Sequence, residues 1–306
     1  MSDDLLVGAV SRAIAYSTPI LWLALGEIIA ETAGVANMAL DGMLMVSALS
    51  AFVAAQLSHS LLVGVLGGML AGILLSLPCA VASITFRVNQ YVIGLALAMM
   101  YPGVASLLGR KWVGLPLEST LPVLSIPLLD RIPFFGPAFF TEQSLLAYAA
   151  PVMALVMAGF FYYTRWGIIW RSAGESPAAL DACGLSVLSL RYAAVLIGGL
   201  FAGIGGAYLS LYYEPAWVEG ITGGMGWIAF AIVIFAAWNP LQAVGGALLF
   251  GVLYHFSFRL QEQVNPHILK ALPYLFVVVV LIIGSWRNRK GNMPRALGVA
   301  YFREDR

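Results

Sequence analysis

Residues 171–186 read RSAGESPAALDACGLS. Charges, a proline and two glycines are packed into this stretch, yet residues 145–163 before it and 192–211 after it are almost wholly apolar. Ser176 stands where a helix N-cap belongs, and Pro177 suits the first helical position because its missing N–H would be unpaired there anyway. AALDAC favours helix, and Gly184 is placed to end it. A helix of about two turns is marginal alone in water, so it needs a surface. Either it lies against its own bundle as an ordinary loop helix, or it docks a partner.

Composition sets the class around it. The chain has 306 residues, of which 61% are hydrophobic and 10% charged, and its mean hydropathy is +0.89. A soluble domain carries about 25% charged residues, so this chain cannot cover a water-facing surface. Apolar stretches as long as a bilayer is thick recur along it. The runs are continuous, which excludes the short alternating segments of a membrane β-barrel. The expected fold is an all-α polytopic transmembrane bundle of about 8–10 spans, forming a single permease-like domain, with broken helices and inverted repeats as options. A net charge of +1 leaves no basic patch for nucleic acid. Cys79 and Cys183 lie far apart and are expected to be reduced. MSDDLLVGAVSRAIAYS begins acidic and runs straight on into apolar sequence, unlike a cleavable signal peptide.

Apolar segments are expected at 5–29, 35–57, 61–84, 91–108, 145–163, 192–211, 227–238, 241–258 and 272–286. Lys and Arg near span ends mark the cytosolic side. The tail 287–306 is the densest basic segment and is assigned to the cytosol. Counting back puts the loop 164–191 in the cytosol, with Arg165, Arg171 and Arg191 agreeing, and Arg87 with it. The proline-rich loop 109–144 and the loop 212–225 then face outside, as does the N-terminus. Gly64, Gly68 and Gly72, like Gly199 and Gly203, recur every four residues and let helix backbones approach closely. GVLGGMLAGILL and AVGGALLFGVLY share a texture that would fit corresponding helices of two repeats.

GESPAALDACGLSV resembles the cytosolic coupling segment of ABC-importer permeases, which fits a groove on the ATPase subunit. Gly174, Glu175, Ala178, Ala179 and Gly184 match its pattern, with Ser176 and Pro177 inside the same stretch. GEIIAETAGVANMALDGMLMVSA resembles an early segment of the branched-chain amino acid, ribose and nucleoside permease superfamily, and GMGWIAFAIVIFAAWNPLQAVGGALLFG resembles its nucleoside branch. Asp41 stands where that family's pattern has Glu, which keeps the charge on a shorter reach. FAAWNP departs from the small or basic residue expected before the Trp. The resemblance implies an inner-membrane permease subunit of an ATP-driven importer, most closely one for nucleosides, with simple sugars or branched-chain amino acids as alternatives. It implies a cytosolic ATPase with two nucleotide-binding domains in one chain, a second related permease and an extracytosolic binding lipoprotein. ATP and Mg would be bound by the ATPase, so no cofactor is expected in this chain.

The residues agree that the chain lacks its own engine. A phosphate-binding loop needs Gly-Lys followed by Ser or Thr, and Lys111, Lys270 and Lys290 are all placed otherwise. His59, His255 and His267 are too scattered for a metal site. An ion-driven carrier is the competing mechanism, and it would use the acidic cluster. Glu27 and Glu31, and Asn37 and Asp41, are four residues apart and would share helix faces. Glu27 and Glu31 either reach water at a helix end or face the interior. Ionisable groups at membrane depth usually line a path, although Asn37 and Asp41 could instead brace a broken helix. A nucleoside path needs aromatic faces with a few amides or carboxylates. The expected path residues are Glu27, Asn37, Asp41, Tyr91, Tyr101, Trp227 and Phe230, and each aromatic among them could equally be a packing residue.

Overall fold

The computed structural model describes residues 2–127, 130, 135–259 and 293–302, with single positions at 275, 278, 279 and 282. In chain order the helices are α1 (Ser2–Thr32), α2 (Leu40–Ser58), α3 (Leu61–Ala80), α4 (Gln90–Gly109), α5 (Phe135–Phe139), α6 (Leu145–Tyr163), α7 (Arg165–Glu175), α8 (Pro177–Ala182), α9 (Val187–Tyr208), α10 (Met225–Phe235) and α11 (Pro240–Arg259). Single π turns, Val81–Thr85 and Leu209–Tyr213, prolong α3 and α9. Among the described residues, sheet is confined to β1 (Val123–Leu124) and β2 (Gln143–Ser144), which pair antiparallel across the proline-rich loop. Among the described residues, six helices are long and apolar enough to cross a membrane. Side-chain caps start several of them: Asn89 accepts from Tyr91 N, Ser144 from Ala147 N, Thr164 from Gly167 N and Ser186 from Ser189 N.

Two expected segments come out differently. Helix α10 has 11 residues, about 16 Å at 1.5 Å per residue, roughly half of a bilayer core; the segment 227–238 is therefore no full crossing. Helix α2 begins at Leu40, after a non-helical stretch at 33–39. Apart from four single positions, the segment 272–286 lies outside the described residues.

Small residues decide which helices lie at the centre. In α1, 89% of the most apolar window is buried, against 22% in α3 and 28% in α4. The outer helices keep an apolar face suited to lipid. Helix α9 is the spine, touching α1, α2 and α3. A Cβ on Gly72 would fall 2.1 Å from the Gly199 carbonyl oxygen, and one on Gly203 would fall 2.4 Å from that of Gly68. The glycine spacings seen in the sequence thus face each other across one interface. Gly26 and Gly198 do the same between α1 and α9. Helix α11 meets α1 as α3 meets α9, with Gly251 set against the Ala13 carbonyl.

The bundle has two distinct ends. Residues 33–39, α7, α8 and residues 293–302 gather at one. Ser11, bonded to Gln143, and His59, paired with Glu118 at 2.9 Å, mark the other. There Val113 and Pro116 bridge to Trp217 and Ala216, so the two expected outer loops pack on each other. Cys79 and Cys183 are free thiols.

If backbone contact at the α3–α9 crossing sets the packing, Gly72→Val should destabilise the purified protein by about 1–3 kcal/mol. Gly103→Ala should not, because nothing lies within 4 Å of its added Cβ. Thermal unfolding in detergent compares the two.

Candidate translocation site and docking face

After α1 ends at Thr32 the chain turns back into the bundle. Gly34 N donates to Glu31 O and Val35 N to Ala30 O, while Asn37 N donates to the Glu27 carboxylate at 2.7 Å. The stretch therefore climbs beside the last turns of α1. Gln90 supports it from α4, accepting from Ala36 N at 2.8 Å. Asn37 accepts from Ala39 N, which shapes the entry into α2. Asn37 and Asp41 do not share a helix face as their spacing predicts, because helix begins only at Leu40. Glu27 and Glu31 are each 1% exposed, so of their two readings the interior one holds and the water-facing one does not.

Asp41 lies in the first turn of α2, and Gly226 in the first turn of α10. Their backbones touch: a Cβ on Gly226 would sit 2.2 Å from Asp41 N. The Asp41 carboxylate accepts from Gly226 N at 3.0 Å and from Thr222 Oγ1 at 3.1 Å. From this junction α2 runs toward the end marked by His59 and Glu118, where Ala51 and Ala55 meet Gly64 of α3. Helix α10 runs the opposite way, toward Trp238, whose indole N–H donates to Glu31. Two helix N-termini thus meet inside the bundle, joined through one carboxylate. The loop 212–225 is not an outer loop over its whole length, since it descends to place Met225 there, 3% exposed.

At the end of the bundle where α7 and α8 lie, Trp238 and Thr32 line a cavity of about 460 Å³ together with Phe161, Arg171, Glu175 and Pro294. Ala237 and Trp238 hold φ values of +48° and +58°. A non-glycine residue in this left-handed region costs roughly 1–2 kcal/mol, so the turn that aims Trp238 at Glu31 is strained.

The expected aromatic path residues are not brought together. Tyr101 is 2% exposed and donates to Leu75 O, packing on Gly42. Tyr91 lies beside residues 293–302, its ring against Gly298. Trp227 is 40% exposed on the outside of the bundle, and Phe230 packs on the core. An aromatic group that sequence reading missed joins α1, the π turn after α9, and α11. Tyr16 stacks on Tyr254 at 3.7 Å and meets Tyr213 edge-on at 5.9 Å. These tyrosines are too far apart in sequence to form a local pattern. Thr222 and Gly226 were missed too, although GGMG before an apolar run signals a close backbone approach.

At the same end α8 forms as expected, with Pro177 in its first turn, and Gly184 leaves it at φ +80°. Ser176 occupies the cap position, but its hydroxyl caps nothing. Glu175 does not begin this helix; it ends α7, an amphipathic helix that the sequence reading left as loop. Trp170 of α7 donates to Ile29 O at 3.0 Å, satisfying a carbonyl near the end of α1. Gly174 is buried, a Cβ there falling 2.3 Å from Thr32 O, so it packs the hairpin rather than facing outward. Leu180 anchors α8, while Ala178, Ala179 and Gly184 are exposed.

Comparison with known proteins fits this architecture. Residues 9–284 match the family described as branched-chain amino acid transport system / permease component. A putative glucose ABC transporter permease, TsgC13 of Haloferax volcanii, is 33% identical, covering 97% of this chain and 98% of its own. The nucleoside ABC transporter permease NupC of Lactococcus lactis is 30% identical, covering 96% of each chain. The guanosine ABC transporter permease NupQ of Bacillus subtilis is 30% identical, covering 97% of each. No solved structure matches. Permeases of this kind are transport subunits that work with an ATPase and a substrate-binding protein. The chain belongs to the branched-chain amino acid transport system permease component family, and is a multi-pass ABC permease of the cytoplasmic membrane.

Proposed function

We propose that this permease conducts nucleosides inward, with ATP hydrolysed by a cytosolic partner and no nucleotide site of its own. The observation that carries the substrate class is the Asp41 junction. Joined helix N-termini inside a transporter form a natural site for a substrate anion. Here the chain's own carboxylate occupies it, bonded to Gly226 and Thr222. A second carboxylate, such as that of a branched-chain amino acid, would meet like charge. A neutral, hydroxylated solute would not, and its hydroxyls could donate to Asp41. Two relatives named for nucleosides or guanosine support the choice of nucleoside, while the relative named for glucose supports a simple sugar as the second reading.

The partners follow from the same reading. They are an ATPase with two nucleotide-binding domains in one chain, a second related permease, and an extracytosolic binding lipoprotein. The exposed face of α8 meets the ATPase, with Ala178, Ala179 and Gly184 in contact and Leu180 holding the helix to the bundle. Gly174, Ser176 and Pro177 set the geometry of the hairpin. Along the path, Glu27 and Asn37 hold the re-entrant stretch 33–39, and Asp41 braces the junction. Glu31 with Trp238 forms the cytosolic gate, above the 460 Å³ cavity.

Reconstituted with its ATPase, second permease and binding protein, the permease should take up radiolabelled nucleoside only with ATP, and should continue when a protonophore collapses the proton gradient. Uptake of glucose instead would favour the sugar reading; uptake of leucine, or uptake driven by a pH step alone, would overturn the proposal.

Ala179→Trp should lower uptake about tenfold or more, since roughly 1.4 kcal/mol of lost docking suffices. The measurement is ATPase co-purification beside uptake, and normal values of both would remove α8 from the interface.

Asp41→Leu strips two donors of their acceptor, a loss of about 1–3 kcal/mol each. If Asp41 braces the two N-termini, uptake and binding-protein-stimulated ATP hydrolysis should fall together at matched membrane levels, and Gly226→Ala should reproduce this. A variant that loses uptake yet keeps stimulated hydrolysis would make Asp41 a lining residue instead.

A further inference from the structure

We infer that residues 293–302 are a strap that links the ATPase-docking hairpin to the re-entrant stretch 33–39 and the foot of α4, and so carries the motion of α8 to the interior junction. The inference rests on the reading of α8 as the docking helix.

The contacts of the strap reach several elements. Ala296 N donates to Gly174 O at 2.7 Å, which ties it to the last turn of α7. On the other side of the same residue, a Cβ on Gly34 would lie 3.3 Å from Ala296 O. Gly34, Gly174 and Ala296 therefore form one three-way contact, and two of the three are glycines because backbone meets backbone. Buried Arg191, in the first turns of α9, donates to Val299 O at 3.0 Å. Gly298 holds φ +77°, and a Cβ there would meet the Tyr91 ring at 2.9 Å. Arg87 stacks on Phe302 at 4.3 Å, reaching the connection between α3 and α4.

A segment whose only role was to cover apolar surface would not need a bond to the docking hairpin, a seat against the re-entrant turn and a fitted glycine at Tyr91. Distances along the route are short. Gly34 lies three residues before Asn37, which is bonded to Glu27, and Tyr91 adjoins Gln90, which holds Ala36. Displacement of the hairpin at Gly174 thus reaches the stretch that leads into Asp41 without crossing a long lever. Arg295 and Glu175, 3.9 Å apart and both exposed, add little.

The test compares Gly298→Val, which cannot take the φ or the space, with Ala296→Pro, which removes the donor to Gly174, and with the milder Phe302→Ala. Each is assembled with its ATPase and partners, and nucleoside transported per ATP hydrolysed is measured beside ATPase co-purification. The expected result is a complex that still holds and runs its ATPase while uptake per ATP falls at least fivefold in the first two variants and less in the third. Unchanged uptake per ATP in Gly298→Val and Ala296→Pro would overturn the strap. So would loss of ATPase in proportion to uptake, which would make the segment a docking surface only. Ala179→Trp, run in parallel, separates the two ideas: if it keeps the ATPase and full uptake, the reading of α8 fails, whatever the strap variants do.

Discussion

Two helix N-termini meet inside this bundle, and the Asp41 carboxylate makes that meeting tolerable. Each N-terminus carries about half a positive charge and a set of unpaired N–H groups. Brought together in a medium without water, they would repel and leave donors unsatisfied. One carboxylate balances about two half-charges and accepts from both Gly226 N and Thr222 Oγ1. Only glycine at 226 lets α10 come close enough, since the place of a Cβ is already taken by the Asp41 backbone. The half-length of α10, the non-helical stretch 33–39 and the descent of the loop before Met225 all follow from this junction.

Around it the bundle is built on close backbone approach rather than on the hydrophobic effect. Lipid tails are as apolar as leucine, so helix association in a membrane depends on packing and on small residues. Gly68, Gly72, Gly199 and Gly203 set α3 on α9; Gly26 and Gly198 set α9 on α1. The rigidity this gives to α1 and α9 is what allows the junction between α2 and α10 to be a defined position. Polar groups freed by the breaks are answered by buried side chains, Glu27 for Asn37 N and Gln90 for Ala36 N, as a medium without water requires.

The end of the bundle where α7 and α8 lie is built in the same way. Trp170 and Gly174 seat α7 against the end of α1, so the hairpin that presents α8 is not a free loop. Its position is coupled to the turn at Gly34 by direct contact. Strain at Ala237 and Trp238 lies next to this region and is held by the bond to Glu31. Strained backbone persists where surrounding contacts over-determine it, often at switch points.

Much of this was legible in the sequence because it is local. Most span positions follow from apolar runs, the short helix α8 from Pro177 and Gly184 around AALDAC, and close backbone approach on α3 and α9 from glycines four residues apart. The acidic cluster announced itself because carboxylates at membrane depth are expensive. Partners far apart in the chain were not legible. Nothing near Asp41 points to Gly226, nothing near Glu31 points to Trp238, and nothing near Gly174 points to Ala296. Tyr91 and Tyr101 looked like path residues by chemistry, and only the tertiary structure shows one against the strap and the other sealed between helices. Helical periodicity reports the face on which a residue lies. Where the chain turns back into the bundle, which face meets which is decided by backbone breaks, and their cost is balanced by distant side chains that no local pattern records.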